Sequence, residues 1–160
     1  MVFFQEINSS DFELEKFDFI IGEYATYNHY YKIILKQKHL ETKVGLQIVP
    51  AGITPQIALF NNKMLIGAGE KFYVYDYLRF NMVKEYSTDP AFYQFIIKNN
   101  YILVISELNI FLLDSFFNKI WEKEFYEIID IKAINGDNIV LTDIEGNHIY
   151  LNFLSGKIQN

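Results

Sequence analysis

The chain has 160 residues, no cysteine and a formal net charge of −6. The lack of cysteine excludes disulfides, thiolate metal sites and cysteine nucleophiles. The negative charge disfavours a phosphate backbone as the main partner, because such binding needs clustered Lys and Arg. Fifteen Phe and twelve Tyr residues favour β-strands, since aromatic side chains suit a pleated, half-buried surface.

The first third of the chain, residues 1–55, has the least regular pattern. Phe12–Glu15 alternates like a half-buried strand. The segment Asn8–Phe17 also fits a short helix with Ser9 or Ser10 as its N-cap. Tyr30–Lys36 and Val44–Val49 are predicted to be strands of an early, degenerate repeat unit.

From residue 56 onward the chain repeats itself with a step of 38 residues and no gaps. The columns in register include Asn62, Asn100 and Asn138; Leu65, Leu103 and Leu141; and Asp76, Asp114 and Asn152. A period of this size indicates stacked supersecondary units.

Each repeat is predicted to contain four short strands separated by turn residues. The predicted strands are Gln56–Phe60, Met64–Gly67, Lys71–Tyr77 and Met82–Ser87; Gln94–Ile97, Tyr101–Ser106, Ile110–Ser115 and Ile120–Phe125; and Ile129–Ile134, Asn138–Thr142, His148–Phe153 and Lys157–Gln159. Four antiparallel strands in about forty residues are typical of a β-propeller blade. We therefore predict an all-β single domain over residues 1–160, with irregular strands or a cap over 1–55 and a partial or small β-propeller over 56–160. A β-sandwich is the alternative fold.

No residue pattern indicates a catalytic or cofactor site. The three histidines, His29, His39 and His148, lack the spacing of a zinc site. Gly67-Ala68-Gly69 is too short for a nucleotide-binding loop and fits a tight turn. We therefore expect no metal, no cofactor and no enzymatic activity. A hydrolase with an acidic pocket is the alternative, and it would need two carboxylates roughly 5–10 Å apart in a cleft.

The charged residues separate onto two edges of the predicted repeats. In an up-and-down unit, the turn between strands two and three lies on the same edge as the link to the next unit. That edge carries Glu70, Asp89, Glu107, Glu127, Asp130, Asp143 and Glu145, with Lys71 among them. The opposite edge carries Lys63, Arg79, Lys98, Lys119 and Lys157, with Asp137 among them. Clustered carboxylates attract a basic partner and raise its association rate.

Trp121 is the only tryptophan in the chain and has two interpretations. Tryptophan is enriched among interface anchors. The position also fits a residue of the core, because Val83 occupies it in the preceding repeat.

The segments Asn100–Phe125 and Asn138–Lys157 resemble blades of propeller repeat proteins. In both, Leu-Asp or Leu-Asn closes the third strand, and Asn-Lys or Ser-Gly-Lys precedes the fourth. The Gly-His and Trp-Asp marks of WD40 blades are absent. As a small, acidic, cysteine-free, repeat-built chain rich in Asn, Ile, Lys and Tyr, the protein also resembles the immunity proteins of bacterial contact-dependent growth inhibition systems. That resemblance implies an inhibitor of a toxin, and many toxins of this class are nucleases with basic clefts.

These observations predict a cytoplasmic protein-binding module that neutralises a basic toxin, most simply a nuclease, by occluding its active site. The predicted contact residues are Glu107, Asp143 and Glu145, with Glu70 and Glu127 behind them. No direct contact with nucleic acid or membrane is expected. The alternative is a scaffold module that forms a homodimer through its open sheet edges.

Overall fold

The computed structural model describes residues 1–25, 27–37, 40–49, 52–88, 90–127 and 129–159. Within these ranges the chain forms four successive four-stranded sheets and a single short helix. Among the described residues, no helix has the length and apolar character needed to cross a membrane.

The first sheet is built from residues that the sequence pattern marked as irregular. Its strands are β1 (Val2–Ile7), β2 (Phe19–Ile21), β3 (His29–Gln37) and β4 (Leu40–Ile48), in the order β1-β3-β4-β2. The β2–β4 pair is parallel, whereas the other two pairs are antiparallel. The two strands predicted here correspond to β3 and β4. The strands β1 and β2 were not predicted, because β2 has only three residues and β1 does not alternate regularly.

A helix, α1 (Ser9–Leu14), connects β1 to β2. Its N-cap is Asn8, one residue earlier than predicted, and the Asn8 side chain accepts a hydrogen bond of 2.8 Å from the Asp11 amide. The interpretation of Phe12–Glu15 as a strand is therefore wrong. Phe12 is buried against Gly45 of β4, where an added Cβ would lie 2.8 Å from the Phe12 ring. Glycine at this position lets the helix lie close to the sheet.

The remaining three sheets are the predicted repeats. Their strands are β5 (Gln56–Phe60), β6 (Lys63–Ala68), β7 (Lys71–Asp76) and β8 (Asn81–Ser87); β9 (Phe92–Lys98), β10 (Tyr101–Ser106), β11 (Asn109–Leu113) and β12 (Lys119–Glu124); and β13 (Asp130–Asn135), β14 (Asn138–Thr142), β15 (His148–Asn152) and β16 (Ile158–Gln159). Each sheet keeps its strands in sequence order. The all-β fold of four-stranded, propeller-like repeats is confirmed.

The last repeat departs from the gap-free 38-residue step by one residue. Across the first turn of each repeat, Lys63 pairs with Phe60 and Tyr101 with Lys98, whereas Asn138 pairs with Asn135. Asn138 is therefore the first residue of a strand, whereas Asn62 and Asn100 are turn residues with positive φ. A shift of one residue moves a strand side chain to the opposite face, so the alignment of Asn138 and Leu141 with the earlier copies is wrong. The longer turn at 143–147 restores the step in β15.

The chain divides into two compact units. Unit 1 comprises Met1–Gly69 and Tyr73–Glu85, and unit 2 comprises Glu70–Phe72 and Tyr86–Asn160. The core of unit 1 joins residues of the first two sheets, including Ile33, Leu46, Met64 and Tyr75. The core of unit 2 joins the last two sheets, including Leu103, Leu112, Ile139 and Leu151. A single domain over residues 1–160 stays a prediction.

Trp121 belongs to the core of unit 2. Its indole N–H donates a hydrogen bond of 3.0 Å to the Phe153 carbonyl, and its ring packs against the buried cluster of the last two sheets. A Cβ added at Gly156 would lie 2.6 Å from the same ring. These contacts confirm the core interpretation of Trp121.

The aligned residues Asp76, Asp114 and Asn152 each cap the turn after the third strand of their repeat. Asp76 Oδ1 accepts hydrogen bonds from the amides of Leu78 and Arg79. Asp114 Oδ1 accepts them from Phe116 and Asn118, and Asn152 Oδ1 accepts one from Ser155. An Asx side chain that binds the amides after it fixes the turn conformation. The repeat therefore preserves a turn, and this explains why Asn replaces Asp in the last copy.

Replacing Asp114 with Ala should destabilise unit 2 by about 1–2 kcal/mol, because it removes the acceptor of two backbone amides. Asp114→Asn should cost less, since Asn152 performs the same role in the next repeat. Urea unfolding followed by Trp121 fluorescence measures both changes. Equal transition midpoints for wild type and Asp114→Ala would contradict the capping role.

Candidate protein-interaction surface

One edge of unit 2 brings together the second turn of each repeat and the links between repeats. The Thr88 amide donates a hydrogen bond of 2.7 Å to the Glu70 carbonyl, and the Glu107 amide donates one of 2.9 Å to the Ala91 carbonyl. The Phe125 amide donates a hydrogen bond of 2.8 Å to the Leu108 carbonyl. This bond joins the β12–β13 link to the β10–β11 turn that contains Glu107. We call this surface the acidic edge and define it by Glu70, Glu107, Glu127, Asp130, Asp143 and Glu145. Asp89, which the sequence also placed here, lies outside the described residues.

Glu107 and Asp130 both lie near Tyr93. Tyr93 is half-buried, and burial raises the pKa of its hydroxyl, with a further contribution from the negative charges of Glu107 and then Asp130. The Ile129 amide donates a hydrogen bond of 3.5 Å to the Glu107 carbonyl, and this bond holds the β12–β13 link beside the β10–β11 turn. Glu107 and Asp130 therefore lie near each other. Glu127 lies in the same link, three residues before Asp130.

Asp143 has a structural role that the sequence pattern did not reveal. Its Oδ1 accepts hydrogen bonds from the amides of Glu145 (3.0 Å) and Asn147 (2.7 Å), and its Oδ2 accepts one from Asn147 Nδ2 (3.0 Å). The Asn147 side chain, together with these amides and that of Gly146, holds the pKa of Asp143 below its ordinary value. Asp143 therefore fixes the five-residue turn on which Glu145 is exposed.

The carboxylates of the acidic edge differ in how far they are neutralised. Asp130 forms an ion pair with Lys132, 2.6 Å from Nζ to Oδ2, which the sequence count of this edge omitted. Among the described residues, Glu70, Glu107, Glu127 and Glu145 have no ion-pair partner. These four glutamates, together with the hydrogen-bonded Asp143, therefore carry the net negative charge of the edge.

The acidity of the whole chain lies almost entirely in unit 2. Unit 2 contains eleven acidic and six basic residues, a formal charge of −5, whereas unit 1 contains nine acidic and eight basic residues, a formal charge of −1. Unit 2 therefore has the electrostatic field that would attract a basic partner.

Most of the basic residues on the opposite edge are engaged within the protein. Lys63 binds Asp76 at 3.1 Å, and Lys119 binds Glu122 at 2.6 Å. Lys98 donates a hydrogen bond to the Gly136 carbonyl and lies over the Phe153 ring. The sequence count therefore overestimates the positive charge that this edge offers to a partner.

Two large apolar residues on the acidic edge were missed by the sequence reasoning. Tyr126 lies in the β12–β13 link and Ile144 lies in the β14–β15 turn, and both are exposed to solvent. The sequence does indicate their exposure, because both residues lie beside acids in predicted turns or links. Glu127 follows Tyr126, and Ile144 lies between Asp143 and Glu145. Because both residues lie outside the strands, in a short link and a short turn, neither side chain packs into a sheet face.

A cavity with two carboxylates lies in unit 1, and none of the predicted contact residues lines it. It has a volume of about 340 Å³ and is lined by Asp11, Glu15 and Lys32, among others. Glu15 is bound by Lys32 and by Lys43, and these hydrogen bonds lower its pKa. A glycosidase-type acid needs a raised pKa instead, so Glu15 does not suit that role.

The histidines do not form a metal site among the described residues, where we find no group of three or more His, Asp or Glu side chains arranged to hold an ion. His29 pairs with Glu6 at 2.9 Å. His148 is exposed, with its Nδ1 atom 3.3 Å from Thr142 Oγ1. His39 lies outside the described residues.

Comparison with known proteins supports the fold. No family model matches the sequence, and no curated protein is significantly similar to it. The structure is similar to the computationally designed protein Ika4, with a TM-score of 0.54 and 13% identity over 71% of this chain and 76% of that one. It is also similar to BamB from Moraxella catarrhalis, with a TM-score of 0.51 and 15% identity over 79% of this chain and 44% of that one. The WD40 domain of Neurospora crassa Pan2 gives a TM-score of 0.50 and 10% identity over 66% of this chain and 36% of that one.

The chain is a propeller-like repeat protein. It spans less than half the length of the BamB and Pan2 chains to which it is similar. Identities this low establish the fold and leave the function to be argued from the surface.

The lowered pKa of Asp143 predicts a dependence of stability on pH. A lowered pKa means that the folded turn favours the carboxylate, so the stabilisation is complete above the pKa of Asp in the unfolded chain, about 3.9. It is lost as the pH falls through the lowered pKa. NMR titration of the Glu145 and Asn147 amides should report this low pKa, and Asp143→Asn should abolish the titration. Titration of these amides at the ordinary Asp value would contradict the assignment, and Glu145→Gln is the control.

Proposed function

We propose that this chain is a non-enzymatic protein-binding module that neutralises a basic toxin, such as a nuclease, by covering its active site. The acidic edge of unit 2 would form the contact surface. Glu107 and Glu145 are the principal contacts, with Glu70 and Glu127 behind them. Asp143 supports the turn that presents Glu145.

The observation that carries the proposal is the set of four glutamates on the acidic edge that have no ion-pair partner among the described residues. Glu70 and Glu145 are exposed, and Glu107 and Glu127 are half-buried. Unpaired carboxylates on one edge repel each other, and this repulsion costs stability in the unbound protein. A cationic partner would remove that repulsion on binding.

The physical basis of inhibition is electrostatic complementarity. The active-site cleft of a nuclease is positively charged because it binds phosphates, and carboxylates can occupy the positions of those phosphates. Complementary charge accelerates association, and this acceleration decreases at high salt. Fast capture suits an inhibitor that must act before its target reaches a substrate.

The proposed class is that of immunity proteins of contact-dependent growth inhibition systems, acting in the cytoplasm. The motivation is the combination of small size, acidic charge, absence of cysteine and repeat-built β-structure. An immunity protein is expected to be encoded beside its toxin. The product of the adjacent gene, as a catalytically inactive variant, is therefore the partner to test.

The double variant Glu107→Lys/Glu145→Lys should weaken binding to that basic product and slow association by at least about tenfold at low salt. The control Glu122→Lys/Asp137→Lys makes the same change in net charge outside the acidic edge and should have a much smaller effect. Stopped-flow association at two salt concentrations measures both. Equal losses for the two variants, or no binding by the wild type, would refute the proposal.

Self-association is the second candidate function, and the short final strand favours it. Among the described residues, the two residues of β16 pair with Tyr150 and Leu151 of β15, so β16 protects little of that edge. An exposed strand edge is a template for pairing with another chain.

Light scattering of the purified chain distinguishes the two functions. A mass near 18.9 kDa is expected for the inhibitor, which acts as a monomer with its acidic edge free. A stable dimer that is lost when Ile158 is replaced by Pro would favour the scaffold function instead.

A further inference from the structure

Two exposed apolar side chains lie among the carboxylates of the acidic edge. Tyr126 has a relative exposure of 108% and Ile144 one of 71%. Single exposed apolar residues are ordinary on protein surfaces. These two differ because they share one edge of one unit with four glutamates that have no ion-pair partner in the part of the chain that the structure describes.

The strand register places Tyr126 and Ile144 at the same end of the β13–β14 pair. Asp130, the first residue of β13, pairs with Thr142, the last residue of β14. Tyr126 precedes Asp130 by four residues, and Ile144 follows Thr142 by two. Tyr126 and Ile144 therefore both lie beyond the same end of the β13–β14 pair.

The backbone beside each side chain is held by hydrogen bonds. The Phe125 amide, directly before Tyr126, donates 2.8 Å to the Leu108 carbonyl. The turn that contains Ile144 is closed by Asp143, which accepts the amides of Glu145 and Asn147. Three hydrogen bonds thus fix the segments that present these apolar side chains to water.

We propose that Tyr126 and Ile144 are the apolar anchors of the acidic edge, and that its partner is a basic protein with an apolar socket bordered by Lys and Arg. This inference rests on the proposed binding role of that edge. The formal charge of −5 on unit 2 supplies the charge complementarity that selects a cationic partner. Burial of the tyrosine and isoleucine supplies affinity, because interface energy concentrates in a few central aromatic and aliphatic residues within a polar rim.

The apolar anchors add a specificity for the partner that carboxylates alone do not provide. A surface that only mimicked phosphates would bind any sufficiently basic cleft. Tyrosine is favoured at interfaces because its ring is apolar while its hydroxyl is hydrated. The acidic edge is therefore specific for a cationic surface that also offers an apolar pocket.

Two synthetic peptides serve as probes. One contains lysines with a single Phe and a single Leu, and the other has Gly in place of both. Wild-type protein should bind the apolar peptide more tightly in NMR titrations, with the largest shifts at residues 126 and 144. Tyr126→Ala/Ile144→Ser should weaken that binding by about tenfold and leave the glycine peptide almost unaffected. Phe116→Ala/Leu154→Ser removes two exposed apolar side chains of unit 2 that lie outside the acidic edge and should change neither affinity.

The charge variant Glu107→Lys/Glu145→Lys separates this inference from the proposed function. If it weakens the binding of both peptides while Tyr126→Ala/Ile144→Ser weakens the binding of neither, the assignment of the anchors is wrong and the binding role of the acidic edge is supported. If the charge variant changes neither peptide, the proposed function fails, and the anchors fail with it. Trp121 fluorescence, which reports the core of unit 2, verifies that each variant is folded.

Discussion

The repeat sheets β5–β8 and β9–β12 each have two apolar faces, and the need to cover both determines the rest of the structure. Met64, Leu65 and Ile66 are consecutive in β6 and fully buried, as are Ile102, Leu103 and Val104 in β10. Because side chains alternate across a strand, consecutive buried residues mean that both faces are shielded from water. Burying one such side chain contributes about 1.5–3 kcal/mol. A four-stranded sheet of this kind is therefore stable only when it is packed within a stack.

Packing of the faces leaves the edges of the sheets for other purposes. The turns there are fixed by local hydrogen bonds from Asp76, Asp114, Asp143 and Asn152, and they do not rely on the core. Residues between the capping side chain and its amide partners can vary without loss of the turn. This freedom allows unit 2 to place Ile144 and Glu145 at the tip of a turn whose conformation is set by Asp143.

The distribution of charge follows from the same division between faces and edges. The faces of the repeat sheets exclude ionised groups, so nearly all the charges lie at turns, links and outer strands. Within unit 2, Lys98 and Lys119 of one edge are engaged by acceptors and rings of the protein, whereas four glutamates of the other edge have no ion-pair partner among the described residues. An asymmetry of this kind makes one edge attractive to a cationic partner, whatever the identity of that partner.

The sequence by itself determined the all-β repeat, the turns and the edge on which the acidic residues lie, because alternation, turn chemistry and period are local properties. It could not determine the one-residue shift in β14, since Asn138 and Leu141 continue the pattern equally well in either register. It also missed β2, which is held by pairing with β4 far along the chain. Only the tertiary structure decided which charges remain unpaired and which apolar residues stay in water. The bond from Lys98 to the Gly136 carbonyl, and the exposure of Tyr126 and Ile144 to solvent, depend on the packing of strands that are separate in the sequence.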